Sequence, residues 1–136
     1  YSALPDPSRQ TRLITLLASE YDSDPLLYNL ETVSLEDAPT SHALSYIWGD
    51  PSNKDMVVTN GNRPREDDLY SGRNKLEVTK NLADAMRYLR AHKRTDRFRI
   101  WADAICINQE DIEERNEQVK IMHRVYSGAE WVWVWL

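Results

Sequence analysis

From residue 81 onward the spacing of apolar residues switches period repeatedly, and this alternation constrains the fold more tightly than any other feature of the chain. Leu82, Ala85, Met86 and Leu89 recur at helical spacing and form one stripe, so the stretch beginning at Asn81 reads as an amphipathic helix. Residues 99–103 (RIWAD) then read as a strand. A second helix is expected to start near Asn108 to Asp111, with Ile112, Val119, Met122 and Tyr126 as its buried stripe and Glu113, Glu114, Lys120 and Arg124 facing water. Gly128 is placed to end that helix in a left-handed turn, and residues 130–136 (EWVWVWL) resume as a strand. Strands that alternate with helices in this order call for parallel pairing through helical crossovers, which places the chain in the α/β class.

The first half adds strands on the N-terminal side. Residues 1–10 contain Pro5 and Pro7 without periodicity and read as an irregular lead-in. Residues 11–17 (TRLITLL) and 26–33 (LLYNLETV) are rich in Leu and β-branched residues around turn chemistry at 22–25, which predicts a hairpin. Residues 42–48 (HALSYIW) have the length of a buried strand, bounded by Pro39 before and by Gly49, Asp50 and Pro51 after. Short strands at 56–59 and 76–79 flank a surface loop at 60–75, dense in Arg, Asp, Gly and Asn. Asn81 is placed to cap the following helix, with Asp84 near its positive end, and the basic run 90–97 reads as a solvated helix end.

A single domain is expected over residues 1–136, because 136 residues with 41% hydrophobic and 29% charged content bury a core without staples. Cys106 is the only cysteine, so no internal disulfide can form and a reducing, cytoplasmic setting fits best. A formal net charge of −5 argues against a broad surface for phosphate backbones, hence against nucleic acid as partner. No apolar run approaches the ~20 residues that span a bilayer, and no signal peptide is legible. The last residues, WVWVWL, stop without a turn or polar tail, so the natural polypeptide is expected to continue past Leu136.

Four blocks resemble the HET domain of fungal heterokaryon-incompatibility proteins: ALSYIWGD at 43–50, VTKNLADAMRYLR at 78–90, RIWADAICINQED at 99–111, and ERNEQVKIMHRVYSGAEWVWVWL at 114–136. The loop at 60–75 departs from the family pattern, and the sequence stops at Leu136, just before the position where the family usually has glycine and continues. HET domains are in turn similar to TIR domains. The resemblance therefore implies a TIR-like, flavodoxin-like parallel sheet flanked by helices, with the additional N-terminal β-strands. It implies a module that triggers regulated cell death on non-self recognition, acting through self-association and protein partners. It also implies either NAD as substrate of a cleaving enzyme or a non-enzymatic signalling role. In the enzymatic case the catalytic glutamate is expected on a helix beyond residue 136; no resident cofactor is implied.

Two groups sit at expected strand ends: Trp48, Gly49 and Asp50, and Asp103 with Asn108 and Gln109. In an open parallel sheet, ligands bind beyond the carboxyl ends of strands, so the groups are candidates to meet across one crevice. Trp48 would stack on a base, Gly49 would let backbone approach, and Asp50 or Asp103 would accept from ribose hydroxyls. The plainer alternative makes Trp48 core, Gly49 and Asp50 a turn, and Asp103 a cap. Arg115 and Gln118 share a helix surface and serve either to brace the Asn108 loop or to reach a ligand phosphate. Cys106 is either a nucleophile helped by His42, His92 or His123, or a packed thiol. The histidines lack metal spacing. The acidic run Glu110, Asp111, Glu113, Glu114 and Glu117 reads as a solvated helix start, with paired acid–base carboxylates as the alternative. Trp131, Trp133 and Trp135 share one face of the last strand, either covered by helices or forming a sticky apolar surface.

Overall fold

Strand-forming and helix-forming stretches fall close to where the periodicity puts them. The computed structural model describes residues 1, 3–19, 21, 24–59, 75–93 and 98–136. In chain order the elements are β1 (Gln10–Leu16), β2 (Leu26–Ser34), β3 (Ser41–Tyr46), β4 (Lys54–Thr59), β5 (Lys75–Thr79), α1 (Lys80–His92), β6 (Arg99–Trp101), the short turn of helix α2 (Asp103–Cys106), α3 (Ile112–Gly128) and β7 (Trp131–Trp135). The fold is α/β with seven strands in a mixed sheet. The chain forms two units: Tyr1–Ile14, Leu30–Ser45 and Phe98–Val134 make the first, and Thr15–Asn29, Tyr46–Arg97 and Trp135–Leu136 the second.

In the first unit the strand order is β2-β1-β6-β3-β7. β3 runs parallel to β6, with His42 opposite Ile100, as the crossover argument requires. β1 is not an outlying addition: it lies between β2 and β6 and runs antiparallel to β6, with Ile14 opposite Ile100. The sheet is therefore mixed where a parallel one was expected, because β1 turns back through its hairpin with β2. That hairpin forms as predicted. Leu35 N–H donates to Arg9 O in the first unit and Leu17 N–H to Leu27 O in the second, each at 2.9 Å, so positions fall along β2 as they rise along β1.

The core of this unit joins Leu13, Ile14, Leu44, Ile100, Trp101, Ile105 and Ile107, each at most 2% exposed. The inward face of α3 overlaps the expected stripe only in part, since of that stripe Met122 and Tyr126 are half-buried. Glu114, Gln118, Ile121 and Val125 are buried, whereas Ile112 and Val119 are 62% and 57% exposed. The face is set by polar partners far away in sequence. Arg12 of β1 makes a two-pronged bond to Glu114 (Nη2 to Oε1 2.5 Å, Nη1 to Oε2 2.9 Å), and both side chains are 3% exposed. Gln118 donates to Pro7 O (2.8 Å) and Gln10 O (2.6 Å) and accepts from Thr11 Oγ1 (2.7 Å). The lead-in is irregular but tied down in this way, and Tyr1 adds a bond from its hydroxyl to Ile105 O (2.8 Å). α3 begins under Asp111, whose side chain accepts from Glu114 N–H. It ends at Gly128 without the expected left-handed turn; the next residue, Ala129, is extended.

In the second unit the order is β5-β4-β2-β1. β4 is parallel to β2 and antiparallel to β5, with Met56 opposite Glu77. The loop expected at 60–75 lies outside the described residues up to 74, as do Asp22 and Ser23 of the predicted turn and residues 94–97 of the basic run. The stripe of α1 is as read: Leu82, Ala85, Met86 and Leu89 are all buried. Three details of α1 differ. Its N-cap is Thr79 rather than Asn81, Asp84 lies past the first turn and pairs with Lys80 at 3.2 Å, and Arg90 is buried rather than solvated. Arg90 donates to Asp24 O (3.0 Å) and Pro25 O (2.8 Å), carbonyls that an N–H ladder leaves over. Among the described residues no helix is long and apolar enough to cross a membrane.

Candidate functional site

The backbone leaves β3 at Tyr46 and turns sharply through residues 47–50, made available by Gly49 at φ +74°, a conformation that costs any L side chain strain. Because the strand has already ended, Trp48 is not core; it is 48% exposed. Asp50 closes the corner by accepting from Ser52, at 2.7 Å from the hydroxyl and 2.9 Å from the N–H. Those two bonds hold its carboxyl below the usual carboxylate range. Asn53 O then accepts from Lys80 N–H at 2.9 Å, which joins the corner to the start of α1.

Asn81, next along α1, uses both ends of its carboxamide: Nδ2 donates to Ile47 O, and Oδ1 accepts from Trp135 Nε1 at 3.1 Å. An open cleft of about 320 Å³ is lined here by the corner residues Ile47, Trp48, Gly49 and Asp50, together with Asn53, Lys80, Asn81, Asp84 and Leu136. It thus combines an exposed indole, a glycine corner, two carboxylates and one ammonium group. The sequence reading found Trp48, Gly49 and Asp50. It missed Asn53, Lys80 and Asp84 and assigned Asn81 to capping; the KNLAD run at the start of a helix held the signal, because its polar residues precede the apolar stripe.

The second group lies in the first unit. Asp103 is not a strand residue but opens α2, and its Oδ1 accepts from Ala104 N–H at 2.8 Å. Gln109 Nε2 donates to Asp103 O (3.0 Å), Asn108 Oδ1 accepts from Glu110 N–H (3.2 Å), and Asn108 N–H donates to Glu114 Oε2 (2.6 Å). Their polar atoms hold the turn between β6 and α3. Gln118 braces the lead-in rather than the Asn108 loop, a task done by Glu114, while Arg115 is exposed. This unit has a larger cavity, about 390 Å³, that includes Arg124 and Glu130 and none of the predicted site residues.

Cys106 is fully buried, and burial pushes its thiol up to about 12. The packed-thiol reading fits this burial, since Cys106 presents no surface to a substrate and burial disfavours its thiolate. His42 does not serve it either: Nδ1 accepts from Trp133 Nε1 at 2.9 Å and Nε2 faces Glu130 Oε2 at 3.4 Å. A disulfide-exchange reagent such as Ellman's is expected to leave Cys106 unmodified at pH 8 in the folded protein and to react stoichiometrically in denaturant. Fast reaction of the native protein would refute this burial. The acidic run divides by role: Asp111 caps α3, Glu114 is buried against Arg12, and Glu117 pairs with Lys120 at 3.0 Å. Of the indole ladder, Trp131 is 61% exposed, while Trp133 and Trp135 are held at half-buried positions by His42 and Asn81.

An α/β domain with these strand exits and this sequence falls in a known class: the family model for heterokaryon incompatibility protein (HET) matches residues 42–136, and the chain belongs to that family. It is similar to heterokaryon incompatibility protein 6, OR allele, of Neurospora crassa, with 34% identity over 137 aligned positions that cover 98% of this chain and 20% of that protein. The chain thus spans about a fifth of the length of that relative. No solved structure gives a significant match.

Proposed function

We propose that this domain acts in heterokaryon incompatibility, triggering cytoplasmic, regulated cell death on non-self recognition in filamentous fungi, and that it does so by binding and cleaving a nucleotide of the NAD class. The observation that carries the ligand reading is the cleft of about 320 Å³ in the second unit, beside the Trp48–Gly49 corner and the start of α1. The order β6-β3-β7, with β6 parallel to β3, is that of the first three strands of a flavodoxin-like sheet, and it supports the TIR-like reading. Trp48 stacks on a base or nicotinamide ring, Asp50 and Asp84 accept from ribose hydroxyls, and Lys80 faces phosphate. Cleavage breaks the bond between the ribose and nicotinamide nitrogen, adds water to the ribose carbon and releases nicotinamide and a proton. Asp103, Asn108 and Gln109, with Arg115, are a second set of candidate contacts drawn from the family resemblance.

Titration calorimetry with NAD tests the binding step, and free nicotinamide measured with the full-length protein, with and without forced oligomerisation, tests the chemistry, because the resemblance puts the catalytic glutamate on a helix after residue 136. Stacking on an aromatic side chain is worth about 1–3 kcal/mol per base, so Trp48→Ala is expected to weaken NAD binding by roughly five- to 150-fold. Absence of NAD binding by the parent chain removes the nucleotide reading. The second reading is a signalling module that works through self-association and protein partners without chemistry. It is favoured by β7, which closes the strand order with Trp131, Val132 and Val134 exposed, because an uncovered apolar edge strand invites pairing. Binding without nicotinamide release in either assembly state would select it.

A further inference from the structure

Within the second unit a single side chain meets both strand exits that border the cavity. Asn81 donates through Nδ2 to Ile47 O, the carbonyl before the Trp48–Gly49 corner, and accepts through Oδ1 from the indole N–H of Trp135, next to Leu136. Donor and acceptor are chemically distinct, so the carboxamide has one orientation that satisfies both, and either partner fixes it for the other. Its backbone is fixed as well, because Asn81 lies in the first turn of α1 and the preceding Lys80 N–H is held by Asn53 O. The same residue lies beside Gly49: a Cβ built there would be 3.6 Å from Asn81 Cβ, ordinary van der Waals contact. The corner can therefore move away from α1 only by breaking the Asn81 bond to Ile47.

We infer that Asn81 is a positioning residue for the proposed nucleotide site: its carboxamide sets the place of Trp48 and Gly49 and couples it to Trp135. This rests on the nucleotide reading of the cavity, but the coupling between corner and Trp135 is a property of the chain itself. Ligand contact with the corner is then felt at Trp135, since moving Ile47 turns the carboxamide and breaks the indole bond. Tyr88 packs against the same indole, 5.4 Å between ring centroids, which gives Trp135 a distinct magnetic environment to report from.

The test uses Asn81→Leu, similar in size with no polar atoms, and Asn81→Asp, which keeps an acceptor for Trp135 and loses the donor to Ile47. Leu89→Ala, in the buried stripe of α1 and away from the cavity, serves as the stability control. Asn81→Leu is expected to weaken NAD binding at least tenfold and to shift both the Gly49 amide and the Trp135 indole resonances. Asn81→Asp should shift the Gly49 amide and leave the Trp135 indole close to its parent position. Leu89→Ala should lower the melting temperature while NAD affinity, measured well below melting, stays within twofold. Equal affinity loss in Leu89→Ala and Asn81→Leu, or an unmoved Gly49 amide in both Asn81 variants, overturns the inference. Should the parent chain not bind NAD, the nucleotide reading fails; the resonance shifts alone then decide whether Asn81 positions the corner.

Discussion

Arg12→Ala is expected to lower the stability of the domain by about 3–5 kcal/mol, the cost of leaving one charge of a buried pair without its partner. Arg12 and Glu114 are both 3% exposed, and the guanidinium also donates to Cys106 O at 3.0 Å, so truncation strands a carboxylate and a carbonyl together. Typical domains have only about 5–15 kcal/mol in hand, so the variant would lose a large part of such a margin. Urea titration followed by far-ultraviolet circular dichroism measures the loss. The double variant Arg12→Met with Glu114→Leu should recover part of it by removing both charges. Recovery should be incomplete, because Glu114 Oε2 also accepts from Asn108 N–H at 2.6 Å. A cost for Arg12→Ala below about 1 kcal/mol, the range of exposed pairs, would contradict the burial of this pair.

Trp101→Ala is expected to cost a similar amount, about 3–5 kcal/mol, for a different reason: it leaves a large void. Trp101 is fully buried, its ring meets Tyr126 edge-on at 5.5 Å, and its Nε1–H donates to Thr11 Oγ1 at 3.0 Å. Trp101→Phe keeps much of the volume and loses the hydrogen bond, so its cost should be smaller, on the order of 1–2 kcal/mol. The same urea titration separates the two. Thr11 also donates to Gln118, and Arg12 follows it on β1, so losses at Trp101 and Arg12 share a network and are not expected to add. A strictly additive double variant would show that these contacts are energetically independent.

The elements whose partners lie within their own stretch of chain were legible. The α1 stripe of Leu82, Ala85, Met86 and Leu89 was read from spacing alone, because an apolar stripe has one energetically sensible side. α3 was misread for the complementary reason. Its inward face carries Glu114 and Gln118, which look solvated until Arg12 and the carbonyls of Pro7 and Gln10 are brought to them from more than a hundred positions away. Arg90 is the same case, a cation inward because carbonyls at Asp24 and Pro25 receive it. Within the candidate site, Gly49 and Asp50 were legible as turn chemistry. The strand's end at Tyr46, which leaves Trp48 exposed, was not, since hydrophobicity alone assigns an indole inward. Asn81 was assigned to a cap because that is what Asn does best near a helix start when no tertiary partner competes.

The central place of β1 in the first unit has a consequence during synthesis. Glu114 leaves the ribosome 102 positions after Arg12. At about 5–20 residues per second the interval is on the order of 5–20 s. Through that time Leu13, Ile14 and Arg12 have no β6 and no α3 to meet, and the nascent β1 carries apolar surface beside an unpaired cation. β1 is made well before β6 and α3 yet can be seated only with them, so chaperone capture during synthesis falls on β1 until those partners emerge.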